Sequence, residues 1–112
     1  MTTYIIELES NVYNMSHDYG QARMIEAESY DLAANWAIQY IVETPERDNV
    51  GIRSIKTLEE VIQGIKDEIF ALHYATHLNN NEELRAQLIG YKQNRIENLV
   101  LKAAGVVEKV GA

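Results

Sequence analysis

The stretch Thr57–Val110 limits the possible folds most, because its apolar residues recur at helical spacing on both sides of Asn79-Asn80-Asn81. Leu58, Ile62, Ile65, Ile69, Leu72 and Thr76 follow one another at steps of four, three, four, three and four. That rhythm places them on one seam of an α-helix. Val61, Phe70 and Ala75 lie beside the seam and widen it into a face suited to a bundle or to a sheet. Thr57 and Glu60 have the spacing of a capping box at the helix start. Gly64 interrupts the helix at a propensity cost of about 1 kcal/mol, which points to a close approach by another backbone. The three asparagines tolerate left-handed backbone and can cap a second helix, with Glu82 and Glu83 in its first turn. Leu84, Leu88, Ile89, Ile96, Leu99, Ala103, Val106 and Val110 form the inward face of that helix. The expected unit is an antiparallel helical hairpin.

Its two arms differ in length. At 1.5 Å per residue the first spans roughly 33 Å and the second can reach roughly 45 Å. The overhang, Leu99-Val100-Leu101 and Ala103 to Val110, is too apolar to face water on all sides. It is expected to lie under a sheet or to meet another copy of the chain. Gly105 is a point at which the helix can end or bend before Val106.

Against this hairpin the first half reads as strand, strand, helix, strand. Thr3–Glu9 alternates Tyr4, Ile6 and Leu8 with Thr3, Ile5, Glu7 and Glu9, the period of a half-buried strand. Ala22–Ala27 is a second strand with Met24 and Glu26 on one face and Arg23, Ile25 and Ala27 on the other. Between them, residues 10–20 have turn chemistry but carry Val12, Tyr13, Met15, His17 and Tyr19. Two readings fit: a hairpin connection packing its own side chains, or a loop that presents Tyr13, Met15, His17 and Tyr19 to a partner. A helix follows, with Ser29 as N-cap and Asp31 in its first turn. Leu32, Ala33, Trp36, Ala37, Tyr40 and Ile41 form its buried face, and Ile38 and Val42 suggest cover on a further side. Pro45 ends it, and Val50–Ile55 is the third strand.

The fold expected is therefore α+β, a small three-stranded sheet with one crossover helix (β-β-α-β) followed by a long C-terminal antiparallel helical hairpin. The chain has 112 residues, enough for a single domain with a modest core. Within it, residues 1–56 form the sheet portion and 57–112 the hairpin. Three strands and one helix bury little, and together with the apolar overhang this favours a homodimer.

Composition narrows function by exclusion. No apolar run approaches the roughly 18–20 residues needed to span a bilayer, and the first residues lack the pattern of a signal peptide. A cytoplasmic protein without membrane attachment is expected. The chain has no cysteine, so it has no thiolate nucleophile and no disulfide. A net charge of −7 argues against direct nucleic-acid binding, which demands basic surface.

The charge is uneven, however. Arg85, Lys92, Arg95 and Lys102 stand at steps of seven, three and seven and share one side of the second helix. With Tyr91 they could hold a small anionic ligand such as a nucleotide. The alternative is structural. In a hairpin hinged near Asn80, Asp67 and Glu68 face Lys92 and Arg95, while Glu59 and Glu60 face Lys102, so the stripe can fix register by ion pairing.

His73 and His77 have the i, i+4 spacing of helix-borne metal ligands, but no third ligand neighbours them, and a structural role in the last turns is preferred. The consecutive Ser16, His17 and Asp18 cannot converge as a catalytic triad. No catalytic set, metal site or cofactor motif is assigned. The leading expectation is a small acidic, non-enzymatic protein that binds a macromolecular partner and can thereby inhibit it. The alternative is a homo-oligomer that senses or sequesters an anionic ligand at the basic stripe.

Overall fold

The computed structural model describes residues 1–10, 22–43, 50–106 and 108–111. The chain is α+β, with strands β1 (Thr2–Ser10), β2 (Ala22–Ala27), β3 (Val50–Thr57) and β4 (Lys109–Val110) and helices α1 (Tyr30–Val42), α2 (Leu58–His73) and α3 (Glu82–Ala104). It divides into two compact units, residues 1–58 with 106–112, and residues 59–105. No helix among the described residues is long and apolar enough to cross a membrane.

The first unit is a four-stranded mixed sheet in the order β3-β1-β2-β4. β1 pairs antiparallel with both β2 and β3, so β2 and β3 run parallel and α1 joins them across β1. The alternation of β1 does what its sequence implies. Tyr4, Ile6 and Leu8 are buried in one core with Ile25 and Ala27 of β2 and Ala33 and Ala37 of α1. Ile5, on the opposite face, is buried as well. Ile6 and Ile25 are the largest side chains in complete burial, each contributing on the order of 1.5–3 kcal/mol. Ala33 and Ala37, four apart on α1, are fully buried, and their small side chains let the helix approach the sheet closely.

β3 needs an adjustment to serve this core. Ile52 and Ile55 both pack against it, yet residues three apart on a regular strand point to opposite faces. The register solves the mismatch: Glu7 opposes Ser54 while Leu8 opposes Ile52. Arg53 is the extra residue of a β-bulge, which returns both isoleucines to one face. α1 begins where expected, with Ser29 Oγ accepting the Leu32 N–H at 3.2 Å. Its outer flank differs from the sequence expectation, because Ile38 and Val42 are exposed rather than covered.

The sheet has four strands, not three. The chain after α3 leaves the helix at Gly105, and Lys109–Val110 pairs parallel with Glu26 and Ala27 of β2. Val110 therefore packs against the sheet core instead of extending the hairpin face. Its spacing from Val106 and Ala103 is compatible with a longer helix, but the β-branched valines beyond Gly105 favour extended backbone.

In the second unit α2 and α3 run antiparallel, joined by a short 3-10 turn at Thr76–Leu78. Ile65 and Leu78 are buried, whereas the other seam residues of α2 are half-buried and Phe70 is exposed. Asn81 caps α3, its Oδ1 accepting the Leu84 N–H at 3.1 Å. α2 is shorter than the sequence rhythm implied, because Ala75 adopts extended backbone (φ −71°, ψ 109°). His73 ends α2 and His77 lies in the 3-10 turn, so the two do not share a helical face. The close approach expected at Gly64 is absent: a Cβ there would meet nothing within 4 Å.

Candidate binding cleft

Two places in the described structure bear on function: the basic stripe of α3 and a cleft in the sheet unit. Arg85 sits at the hairpin turn with its side chain only 11% exposed. Its Nε donates to the Leu72 carbonyl at 3.1 Å, and its Nη2 donates to the Ala75 carbonyl at 2.8 Å and to Asn79 Oδ1 at 2.9 Å. Its Nη1 pairs with Glu82. The guanidinium thus adds a second donor to the Leu72 carbonyl, in the last turn of α2, and to the Ala75 carbonyl, which precedes the 3-10 turn; these also accept the Ala75 and Leu78 N–H groups at 3.4 and 3.1 Å. Lys92 pairs with Glu68 at 2.5 Å, the register that hinging at Asn80 dictates. Arg95, Lys102 and Tyr91 are exposed, and neither Arg95 nor Lys102 makes an ion pair among the described residues. The stripe is one face of a helix in sequence, but two of its four cations are engaged within the hairpin. Tyr13, Met15, His17 and Tyr19 lie outside the described residues.

The cleft, about 660 Å³, is lined by Arg23, Met24 and Ile25 of β2, by Trp36, Gln39, Tyr40 and Glu43 of α1, and by Glu108. Its construction follows from the helix. Ala33 and Ala37 point into the sheet, so Trp36 and Tyr40, each one position off that line, flank the contact. They are half-buried, and their rings stack with centroids 5.1 Å apart and planes at 19°. Each is held from another element. The Trp36 indole Nε1 donates to Glu108 Oε1 at 2.8 Å. Arg23 Nε donates to the Tyr40 hydroxyl at 2.9 Å, and its guanidinium carbon lies 5.4 Å from the Tyr40 ring centroid. Glu108 acts twice, because its backbone carbonyl also accepts the Glu26 N–H at 2.9 Å.

Two carboxylates, Glu43 and Glu108, face one guanidinium, so the lining has a formal charge of −1. An aromatic wall beside carboxylate acceptors can hold an apolar or cationic group against the ring faces and hydrogen-bond a donor at the rim. No group of three or more histidine or acidic side chains suited to a metal ion occurs among the described residues.

The sequence reading placed Trp36 and Tyr40 in the core and singled out neither Arg23 nor Glu108. One local signal pointed to the cleft: Gln39 and Glu43 each follow an aromatic residue by three, so polar groups flank the wall on the same side of α1. No family model, curated protein or solved structure matches the chain.

Proposed function

We propose that the protein acts without catalysis, by binding a protein partner in the cleft between β2 and α1. The stacked pair Trp36–Tyr40, held in place by Glu108 and Arg23 yet open on one side, is the observation that supports this reading. Rigid aromatic side chains with one apolar surface and one polar edge contribute much of the energy of protein interfaces. Their orientation is fixed before binding, which lowers the ordering cost of association.

Site-specific photocrosslinking tests the proposal. A photoreactive residue at Gln39, on the cleft rim, should yield one dominant protein adduct in lysate from the source cell. The same residue at Asn35, an exposed α1 position outside the cleft lining, should not. Equal labelling from both positions, or none at position 39, refutes the reading. An anionic small molecule at α3 is the second reading, supported by the exposed Arg95 and Lys102. It predicts that a nucleotide raises the melting temperature and that Arg95→Ala removes the rise.

A further inference from the structure

Given a protein-binding cleft, the open edge of β2 identifies the form of its occupant. The backbone N–H and C=O groups of a strand residue point to the same side, and alternate residues point to opposite sides. The Glu26 N–H bonds the Glu108 carbonyl at 2.9 Å and the Glu28 N–H bonds the Val110 carbonyl at 3.1 Å, so even-numbered residues of β2 face the β4 side. β4 opposes only Glu26 and Ala27. Met24 and Ala22 present their backbone groups to the same lane, and among the described residues neither Val106 nor Glu108 bonds Met24 across it.

Exposed strand edges are ordinarily guarded by lysine, proline or a bulge. Here the edge residues are Ala22, Arg23, Met24 and Ile25, and the one charge among them is turned onto Tyr40. This stretch of the lane, unpaired among the described residues, coincides with the cleft: Arg23, Met24 and Ile25 line it together with Trp36 and Tyr40. By strand alternation Met24 directs its side chain to the opposite sheet face, so it contributes to the cleft through its backbone.

We infer that an extended segment of the partner enters this lane as a guest strand, bonding the backbone of Met24 and Ala22 and placing a lysine or arginine between Glu43 and Glu108. About four guest residues, roughly 13 Å, match the open length of β2. Strand addition of this kind draws affinity from main-chain hydrogen bonds and specificity from alternate side chains. The excess of carboxylates selects a basic guest. It also disfavours a second copy of this edge, which would bring four carboxylates together. A helical guest leaves the Met24 groups unmet.

The test uses the whole chain and random twelve-residue peptides selected on it by display. Trp36 is the only tryptophan, so its fluorescence reports occupancy of the cleft directly. Selected peptides should carry lysine or arginine within an alternating apolar pattern. N-methylation at alternate guest positions should weaken binding at least tenfold, while methylation at the intervening positions leaves it unchanged. Hydrogen exchange at the Met24 amide should slow at least tenfold in the complex. Glu43→Gln with Glu108→Gln should weaken the basic peptides, the Trp36 hydrogen bond being retained by the glutamine oxygen.

Peptides that perturb Trp36 without protecting Met24 overturn the guest strand but leave the cleft as a binding site. Recovery of no such peptide, or a second copy as the adduct at position 39, also overturns it. Loss of specific protein labelling at position 39 defeats the broader reading separately.

Discussion

Arg85 offers the sharpest test of how the hairpin is held. Its guanidinium donates to the Leu72 carbonyl in the last turn of α2, to the Ala75 carbonyl before the 3-10 turn and to Asn79, across 13, 10 and 6 residues of chain. Hydrogen bonds from a charged donor contribute about 1.5–3 kcal/mol each. Water can reach these carbonyls once the side chain is gone, so a net loss of about 1 kcal/mol per bond, or about 3 kcal/mol in all, is expected for Arg85→Ala. With a urea dependence of about 1.5 kcal/mol per molar, the midpoint of the helical transition falls by about 2 M. The exposed Glu82 pair adds little to this figure. Arg85→Lys separates fork from charge: one ammonium cannot span three acceptors, so about two thirds of the loss remains. Arg85→Met keeps the aliphatic stem and should behave as alanine does. Urea titration followed by circular dichroism at 222 nm measures all three variants. An alanine variant within about 0.5 kcal/mol of wild type, or a lysine variant equal to it, would refute the clamp.

The other predictions concern single features. Deleting Arg53 removes the extra residue and leaves Ile52 and Ile55 two apart on one face of a regular strand, so both stay in the core and thermal unfolding should show a loss below about 1 kcal/mol; a loss of about 2–4 kcal/mol, as for an isoleucine expelled from the core, would refute Arg53 as the bulged residue. Gly64→Ala should stabilise the protein by about 1 kcal/mol in chemical denaturation, because the helix gains propensity and the added Cβ meets nothing; destabilisation would reveal a neighbour. A double-mutant cycle on Lys92→Ala and Glu68→Ala should give a coupling below about 1 kcal/mol, as for other partly exposed pairs. A homodimer closed through the exposed Val100 and Leu101 predicts twice the 12.8 kDa chain mass in light scattering and dissociation by Leu101→Glu. A wild-type mass of 12.8 kDa removes that dimer.

What could be read from the sequence follows from the range of the interactions involved. β1, β2 and the start of α1 are specified by neighbours: alternation places Tyr4, Ile6 and Leu8, and Ser29 caps its own helix. The bulge at Arg53 was not read from the sequence, where Val50–Ile55 stands as a plain strand; it is set by the pairing of β3 with β1. The end of α2 was not legible, because Leu72 through Thr76 are compatible with helix and the residue that takes the Leu72 and Ala75 carbonyls is Arg85, on another element. β4 was hidden for a different reason. Two residues are too few to show alternation, and valines at positions 106 and 110 fit a helix period as well as a strand. The cleft inherits that opacity, since Trp36 meets Glu108 across 72 residues.

Among the described residues, the shortness of β4 is also what leaves the cleft open. A strand that returns to an exposed edge normally removes the edge, and β4 does so for Glu26 and Ala27. Extending its pairing by two residues toward its start would place backbone opposite Met24 and fill the lane beside the Trp36–Tyr40 wall. Glu108 stands where the pairing described for β2 and β4 begins. Its carbonyl closes the ladder at Glu26 and its carboxylate fixes the indole that faces the open stretch. The same residue thus couples the end of the sheet to the orientation of the aromatic wall. Substituting its side chain should alter Trp36 while sparing the backbone pairing, because the two functions use different atoms. Glu108→Ala is therefore expected to change Trp36 emission strongly and stability by only about 1 kcal/mol. A collapse of the fold in that variant would show that carboxylate and carbonyl are not separable, and that the edge is held from the side chain.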